Sequence, residues 1–210
     1  IVAEGDSGRV YAESDKMHTD AAIVDLPASI PETELEPQAL GFRVPGYGIT
    51  KHWQLFSHRQ LIALTTLSDL VGEVKDKVMH DALTVGMTDD SLCLDYGASG
   101  ACAYAEAVII FLAFAVDRTA DYTSNICSWH ISGEKMRNTF ARQAISMVWD
   151  YAEANPFSGS TGNFLGAVEW VAKVVASLPA INQGMVVQGD AATVTGPFDQ
   201  VLVSTDPPYY

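Results

Sequence analysis

The chain has 210 residues, 48% of them hydrophobic, enough apolar material for one core or one domain with extensions, and this excludes a disordered composition. Its 26 acidic residues against 12 basic ones give a formal net charge of −14, so its surface repels phosphate and gains little from counterion release. Any nucleic-acid contact must be local or supplied by another part of a longer protein.

Residues 1–56 read as an irregular extension. Within it, residues 25–37 hold three prolines and four acids, a composition suited to an exposed connector. Residues 42–50 are aromatic and glycine-rich and predict a short strand or a turn packed on the body. A helical body follows over residues 57–179. Ser57 and Gln60 stand in capping-box positions. Leu61, Leu64, Leu67, Val71, Val74 and Val78 then repeat at helical spacing, which predicts a helix to about residue 83. The second predicted helix, residues 102–122, is apolar almost all round and is expected to be the central buried one. Its longest apolar run, residues 107–116, falls far short of the ~20 needed to span a bilayer. A third helix is predicted from Ser132 or Gly133 to just before Asn155-Pro156, because the residue preceding proline is pushed out of the α region. The fourth covers residues 162–178 and is closed by Pro179. The period then changes. Residues 184–188 and 198–204 are strand candidates, with the continuous apolar runs of parallel strands buried on both faces.

The second strand candidate leads into Ser204-Thr205-Asp206-Pro207-Pro208-Tyr209-Tyr210. This resembles the catalytic motif of enzymes that methylate an exocyclic amine of adenine or cytosine. Such an amine is a poor nucleophile because its lone pair is delocalised into the ring. Methylating it requires acceptors that bind the N–H groups and favour a tetrahedral nitrogen. The Asp206 side chain and the Pro207 carbonyl form such a pair, the carbonyl being aimed by the fixed φ of Pro207 and Pro208. Tyr209 is placed to stack on a base drawn out of the helix, and Tyr210 to line the same pocket. In these enzymes an acidic residue after the preceding strand contacts the cofactor adenine, which points to Asp190 in Gly189-Asp190-Ala191.

The likeness extends to residues 113–118 (AFAVDR), Trp129, residues 134–150, Asn155-Pro156-Phe157, residues 56–69 and residues 162–173. Together these resemble the DUF1156 family of large adenine-specific DNA methylases, over about residues 42–210. The resemblance implies S-adenosyl-L-methionine as methyl donor and DNA as substrate, reached through an intact parent protein. It also implies that the chain is an internal stretch of that parent, with the glycine-rich cofactor loop upstream and more of the catalytic half downstream. An opening on Ile1 and an end inside a motif agree with this, and the stretch alone is expected to be inactive. The predicted fold is α/β: a mostly helical insertion of about four helices, then, from residue 180, the beginning of a Rossmann-like methyltransferase sheet. Half a parallel sheet leaves an open edge on which a second copy can pair.

Other features have plainer readings. Residues 92–101 mimic a strand followed by a glycine-rich loop, but a loop entering the second helix near Ser99 or Gly100 explains them better. Arg137, Asn138, Arg142 and Asp150 read first as the solvated face of the third helix. In the functional version Arg137 or Arg142 meets a phosphate and Asn138 lines the pocket beside the Asp206 motif. The histidines stand in no metal-ligand spacing, and the four tryptophans fall at helical core positions. Cys93, Cys102 and Cys127 lack CxxC spacing and predict buried thiols in a cytoplasmic protein. Two alternatives stay open: a non-catalytic helical interaction or regulatory module, and an RNA-modifying amino-methyltransferase.

Overall fold

The computed structural model describes residues 1–39, 41–141, 144–179, 188–190, 192–193, 202 and 204–205. Among these residues the fold is α/β, with four α-helices and two small antiparallel sheets of two strands each. The chain opens with a hairpin, β1 (Val2–Gly5) on β2 (Gly8–Tyr11), in which Val2 faces Tyr11 and Glu4 faces Arg9. A short helix α1 (Lys16–Ala21) follows, which the sequence pattern did not suggest. Asp15 nucleates it by accepting the His18 N–H at 2.9 Å. Residues 42–50 contain the expected turn, a 3-10 turn at Val44–Tyr47, and a second occupies His52–Leu55.

The helix α2 (His58–Thr84) starts on the reciprocal cap between Ser57 and Gln60: the Gln60 Oε1 accepts the Ser57 N–H at 2.8 Å. It buries Leu61, Leu64 and Leu67. Against it lies α3 (Ala101–Asp121), whose buried Ala101, Ala103, Ala105 and Ala115 let the two backbones approach closely. Gly100 is its N-cap, and the preceding residues form a 3-10 turn at Leu94–Tyr96, so the glycines of 92–101 serve a helix entry. On the other side of α3 packs α4 (Phe164–Ser177), capped by Asn163, whose Oδ1 accepts the Gly166 N–H at 2.6 Å. Thus α3 is central, but it is not buried all round: Tyr104, Ile110 and Phe114 are exposed. Leu165 and Trp170 on α4 are exposed too.

The third predicted helix is absent: the described residues of 132–155 contain no α-helix. In its place stand β3 (Ser128–His130), a turn at Ile131–Gly133, β4 (Lys135–Arg137) and irregular chain. Two causes are visible. Glu134 sits in the left-handed region at φ 43°, which reverses the chain into a hairpin that buries Met136. Asp121, ending α3, then captures the chain: its carbonyl accepts the Thr139 N–H at 2.7 Å and its carboxylate accepts the Phe140 N–H at 2.8 Å. These bonds replace the i→i−4 ladder that a helix would need.

One hydrophobic cluster unites Leu35, Val44 and Leu55 with Ile126 and Ile145. A second joins Cys127, Met136 and Ala154, with Trp129 and Tyr122 packed against it. Of the cysteines only Cys127 is buried; Cys102 is half-buried and Cys93 exposed. Among the described residues, no helix is long and apolar enough to cross a membrane. The strand candidates at 184–188 and 198–204 lie almost entirely outside the described residues.

Candidate functional site

The motif residues Asp206, Pro207, Pro208, Tyr209 and Tyr210 lie outside the described residues, as does Arg142. Asp190 is described and exposed. Its Oδ1 accepts the Ala192 N–H at 2.9 Å and its carbonyl accepts the Thr193 N–H at 3.0 Å. This is a turn closed on its own carboxylate. The other carboxylate oxygen has no partner among the described residues.

The remaining sequence-predicted positions are not brought together. Arg137 ends β4, exposed, opposite Ser128. Asn138 is a tether: its Nδ2 donates to the Asp121 Oδ2 at 2.8 Å. Asp150 reaches across the fold, its Oδ2 accepting the Trp129 N–H at 2.8 Å. Trp149 and Trp170 are both more than half exposed, at 57% and 51%, contrary to the core packing expected of them. Trp149 lies edge-on to Tyr47 and to Tyr151, with ring centroids 5.3 and 6.3 Å away.

A cleft of about 1180 Å³ separates the N-terminal hairpin from the first turn of α2 and residues 150–161. Its walls are tied down by polar contacts. Arg59 grips Glu153 with two nitrogens, Nη2 to Oε2 at 2.6 Å and Nε to Oε1 at 3.3 Å, while its Nη1 donates to the Ala22 carbonyl at 3.0 Å. The Arg9 guanidinium lies 5.8 Å from the Trp129 ring centroid. On the opposite wall the Asn155 Oδ1 accepts the Phe157 N–H at 2.9 Å, and Ser158 donates its hydroxyl to the Asn155 carbonyl, also at 2.9 Å. The Phe164 N–H then reaches back to the Pro156 carbonyl at 2.9 Å, joining this wall to the first residue of α4. Gly162 permits the turn between them. Its φ is +95°, and a Cβ there would meet Ala154 and Tyr122 at 3.0 Å. Tyr151 opens the wall at φ 48°, a conformation a tyrosine rarely adopts.

Two residues lining this cleft are almost fully buried and carry polar atoms with no partner: Gln60 at 3% exposure and Thr123 at 1%. The Gln60 amide cannot be turned round, since its Oε1 already accepts the Ser57 N–H. Its Nε2 is therefore an unused donor, and the Thr123 Oγ1 an unused hydroxyl. Each such group left without a partner costs about 1–3 kcal/mol. Among the described residues no histidine or cysteine lines the cleft, and Ser158 and Ser160 hydrogen-bond to one another at 2.8 Å.

Sequence reasoning saw Gln60 only as a cap and passed over Thr123. The one legible signal was Asn155-Pro156-Phe157-Ser158-Gly159-Ser160, a polar, turn-forming run with an exposed aromatic in the break between the third and fourth predicted helices.

A separate polar cluster lies between α2 and α3. Lys75 Nζ sits 2.8 Å from the Glu106 Oε1, and the Glu106 Oε2 accepts the Leu94 N–H at 2.7 Å. The Lys75 hydrogen bond, and then that of Leu94, hold the Glu106 carboxyl below the ordinary carboxylate range. Glu106 in turn raises Lys75 by its hydrogen bond and the Cys93 thiol by its charge. A raised thiol is a poor nucleophile at neutral pH.

No family model, no curated protein and no solved structure matches the chain.

Proposed function

We propose that the chain is part of an S-adenosyl-L-methionine-dependent methyltransferase of the DUF1156 type, acting on an exocyclic base amine of DNA, adenine N6 ahead of cytosine N4. One observation carries this: Asp206-Pro207-Pro208-Tyr209 follows the apolar run Val201-Leu202-Val203 after only Ser204 and Thr205. In a Rossmann-like sheet that order presents the motif at the carboxyl end of a buried strand, where ligands bind in open α/β sheets. Asp206 and the Pro207 carbonyl accept the amine N–H groups and bring its lone pair out of conjugation. Tyr209 stacks on the base, and Tyr210 closes the pocket beside it. The donor supplies an electrophilic methyl group, and Asp190 offers it an acceptor. The setting is cytoplasmic, and the DNA is engaged through the parent protein, since a chain of net charge −14 has little general affinity for phosphate.

In the intact protein, Asp206→Ala should lower methyl incorporation by at least about 100-fold while leaving donor affinity nearly unchanged. A variant that keeps most of its rate removes Asp206 from the chemistry. Incorporation into duplex DNA, single-stranded DNA and RNA, compared side by side, separates the DNA substrate from an RNA one.

A second reading, a helical interaction module, is favoured by the exposed apolar side chains of α3 and α4, Phe114 at 53% and Leu165 at 73% among them. Calorimetric titration of the folded chain with S-adenosyl-L-methionine tests whether the donor site lies within it. Saturable binding makes the chain itself a donor-binding unit and removes the second reading; no binding puts the donor site in another part of the parent.

A further inference from the structure

Away from the terminal motif and the cleft, the loop between α2 and α3 brings two thiols to one place. It is fastened to the start of α3 by its backbone. The Ala101 N–H reaches the Thr88 carbonyl at 2.9 Å, and the Cys102 N–H reaches the Asp89 Oδ1 at 3.2 Å. Further along, the Glu106 Oε2 takes the N–H of Leu94, the neighbour of Cys93, at 2.7 Å. Cys102 and Glu106 stand one turn apart on the same face of α3. A helical side chain leans back over the turn N-terminal to its own Cα, so the Glu106 carboxylate lies over the turn that holds Cys102. The backbone at Cys93 and Leu94 is therefore pinned beside Cys102.

Charge places the sulfurs in the same cluster. Lys75, which faces it from α2, is held above the ordinary lysine range by Glu106 first, and further by Cys102 and Cys93. Cys102 also adds to the rise of the Cys93 thiol that Glu106 causes. Each sulfur thus lies within range of the other's charge and of the Lys75 ammonium. Cys93 is exposed and Cys102 half-buried, whereas Cys127 is enclosed in the cluster with Met136 and Ala154. An accessible thiol beside a shielded one suits a cysteine that reacts first and a neighbour that resolves it.

We propose that Cys93 and Cys102 are a reversible redox pair, oxidised to a disulfide by a small-molecule disulfide. The Cys93 thiolate attacks one sulfur of that molecule, whose other half leaves as a thiolate. The Cys102 thiolate then attacks the Cys93 Sγ and expels the half that remained. The protein loses two electrons and two protons; the oxidant gains both and ends as two thiols. Because Glu106 favours the protonated Cys93 thiol, exchange at neutral pH is slow and answers sustained oxidation rather than serving turnover. In a reducing compartment the pair rests as thiols. Oxidation staples the turn at Leu94–Tyr96 to the first turn of α3, beside the Lys75–Glu106 bridge from α2. The pair goes beyond the methyltransferase reading and does not depend on it.

The test incubates the 210-residue chain with oxidised glutathione, quenches it in acid, alkylates it in denaturant and maps the thiols by mass spectrometry. The expected product has lost two hydrogens, carries no glutathione and is alkylated only at Cys127. Dithiothreitol should then restore Cys93, Cys102 and Cys127 as thiols. Cys102→Ser should trap one glutathione on Cys93, since no second thiol displaces it there. Cys93→Ser should take up glutathione at least about tenfold more slowly than that variant, because the half-buried Cys102 is the thiol left to react. Three results overturn the pair. They are glutathione kept on Cys93 in the unsubstituted chain with Cys102 still alkylated, a cross-link that involves Cys127, and thiols unchanged in excess oxidised glutathione.

Discussion

At the scale of single residues, Asp121 shows how one side chain redirects a segment. It ends α3, and its two carboxylate oxygens take the Phe140 N–H and the Asn138 amide, both at 2.8 Å. Bonds to a charged acceptor are each worth about 1.5–3 kcal/mol, less where the group is half-exposed as here. Asp121→Ala is therefore expected to cost about 2 kcal/mol, read from the urea midpoint at unchanged m-value. A loss below about 0.5 kcal/mol would show that the chain after β4 is held by packing instead. Asn138, read first as part of a solvated helix face and in the functional version as a pocket residue, belongs to this tether. The distinction was closed to sequence reasoning because Asn138 and Asp121 are seventeen positions apart.

Among the elements, the Lys75–Glu106 pair links α2 to α3, with side chains only 34% and 19% exposed, and Glu106 also holds the Leu94 turn. Because its carboxyl is depressed in the folded chain, Glu106 stabilises the fold at pH values above its unfolded range. That contribution is lost as pH falls through the depressed folded value. Lys75 is raised, so its share is present below the ordinary lysine range and lost as pH climbs through the raised value. Glu106→Gln should flatten the acid limb of a stability-against-pH curve; an unchanged limb would assign acid unfolding to other carboxylates.

Elements of this length were legible. The Ser57 and Gln60 cap fixed the start of α2, and the predicted helices 102–122 and 162–178 correspond to Ala101–Asp121 and Phe164–Ser177. The missed elements are short. Helix α1 has six residues and stands on one cap, and β3 and β4 have three residues each, too few for an alternating pattern to register. The false helix over 132–155 had apolar residues at the right spacing, but Ile145 and Met136 use them in separate clusters. The cleft was illegible for a related reason: it draws on β1, β2, α2, β3, β4 and residues 150–161, which no local window sees together.

For the whole molecule, the cluster of Leu35, Val44, Leu55, Ile126 and Ile145 makes the N-terminal third part of the same core as the chain after α3. Leu55 is fully buried, so Leu55→Ala should cost about 2–5 kcal/mol in chemical denaturation while the chain still unfolds in one transition. Two separated transitions would show that the clusters fold apart. The net charge of −14 sets a second expectation: raising salt to about 0.5 M should raise the midpoint by screening self-repulsion, and a fall would mean attractive ion pairs dominate. The bond from the Phe164 N–H to the Pro156 carbonyl has a mechanical consequence. The wall of the cleft and the head of α4 are pinned to one another there, and the helix runs on from that joint as one continuous rod. Its far end, thirteen residues on at Ser177, stands on the threshold of the segment that carries the terminal motif.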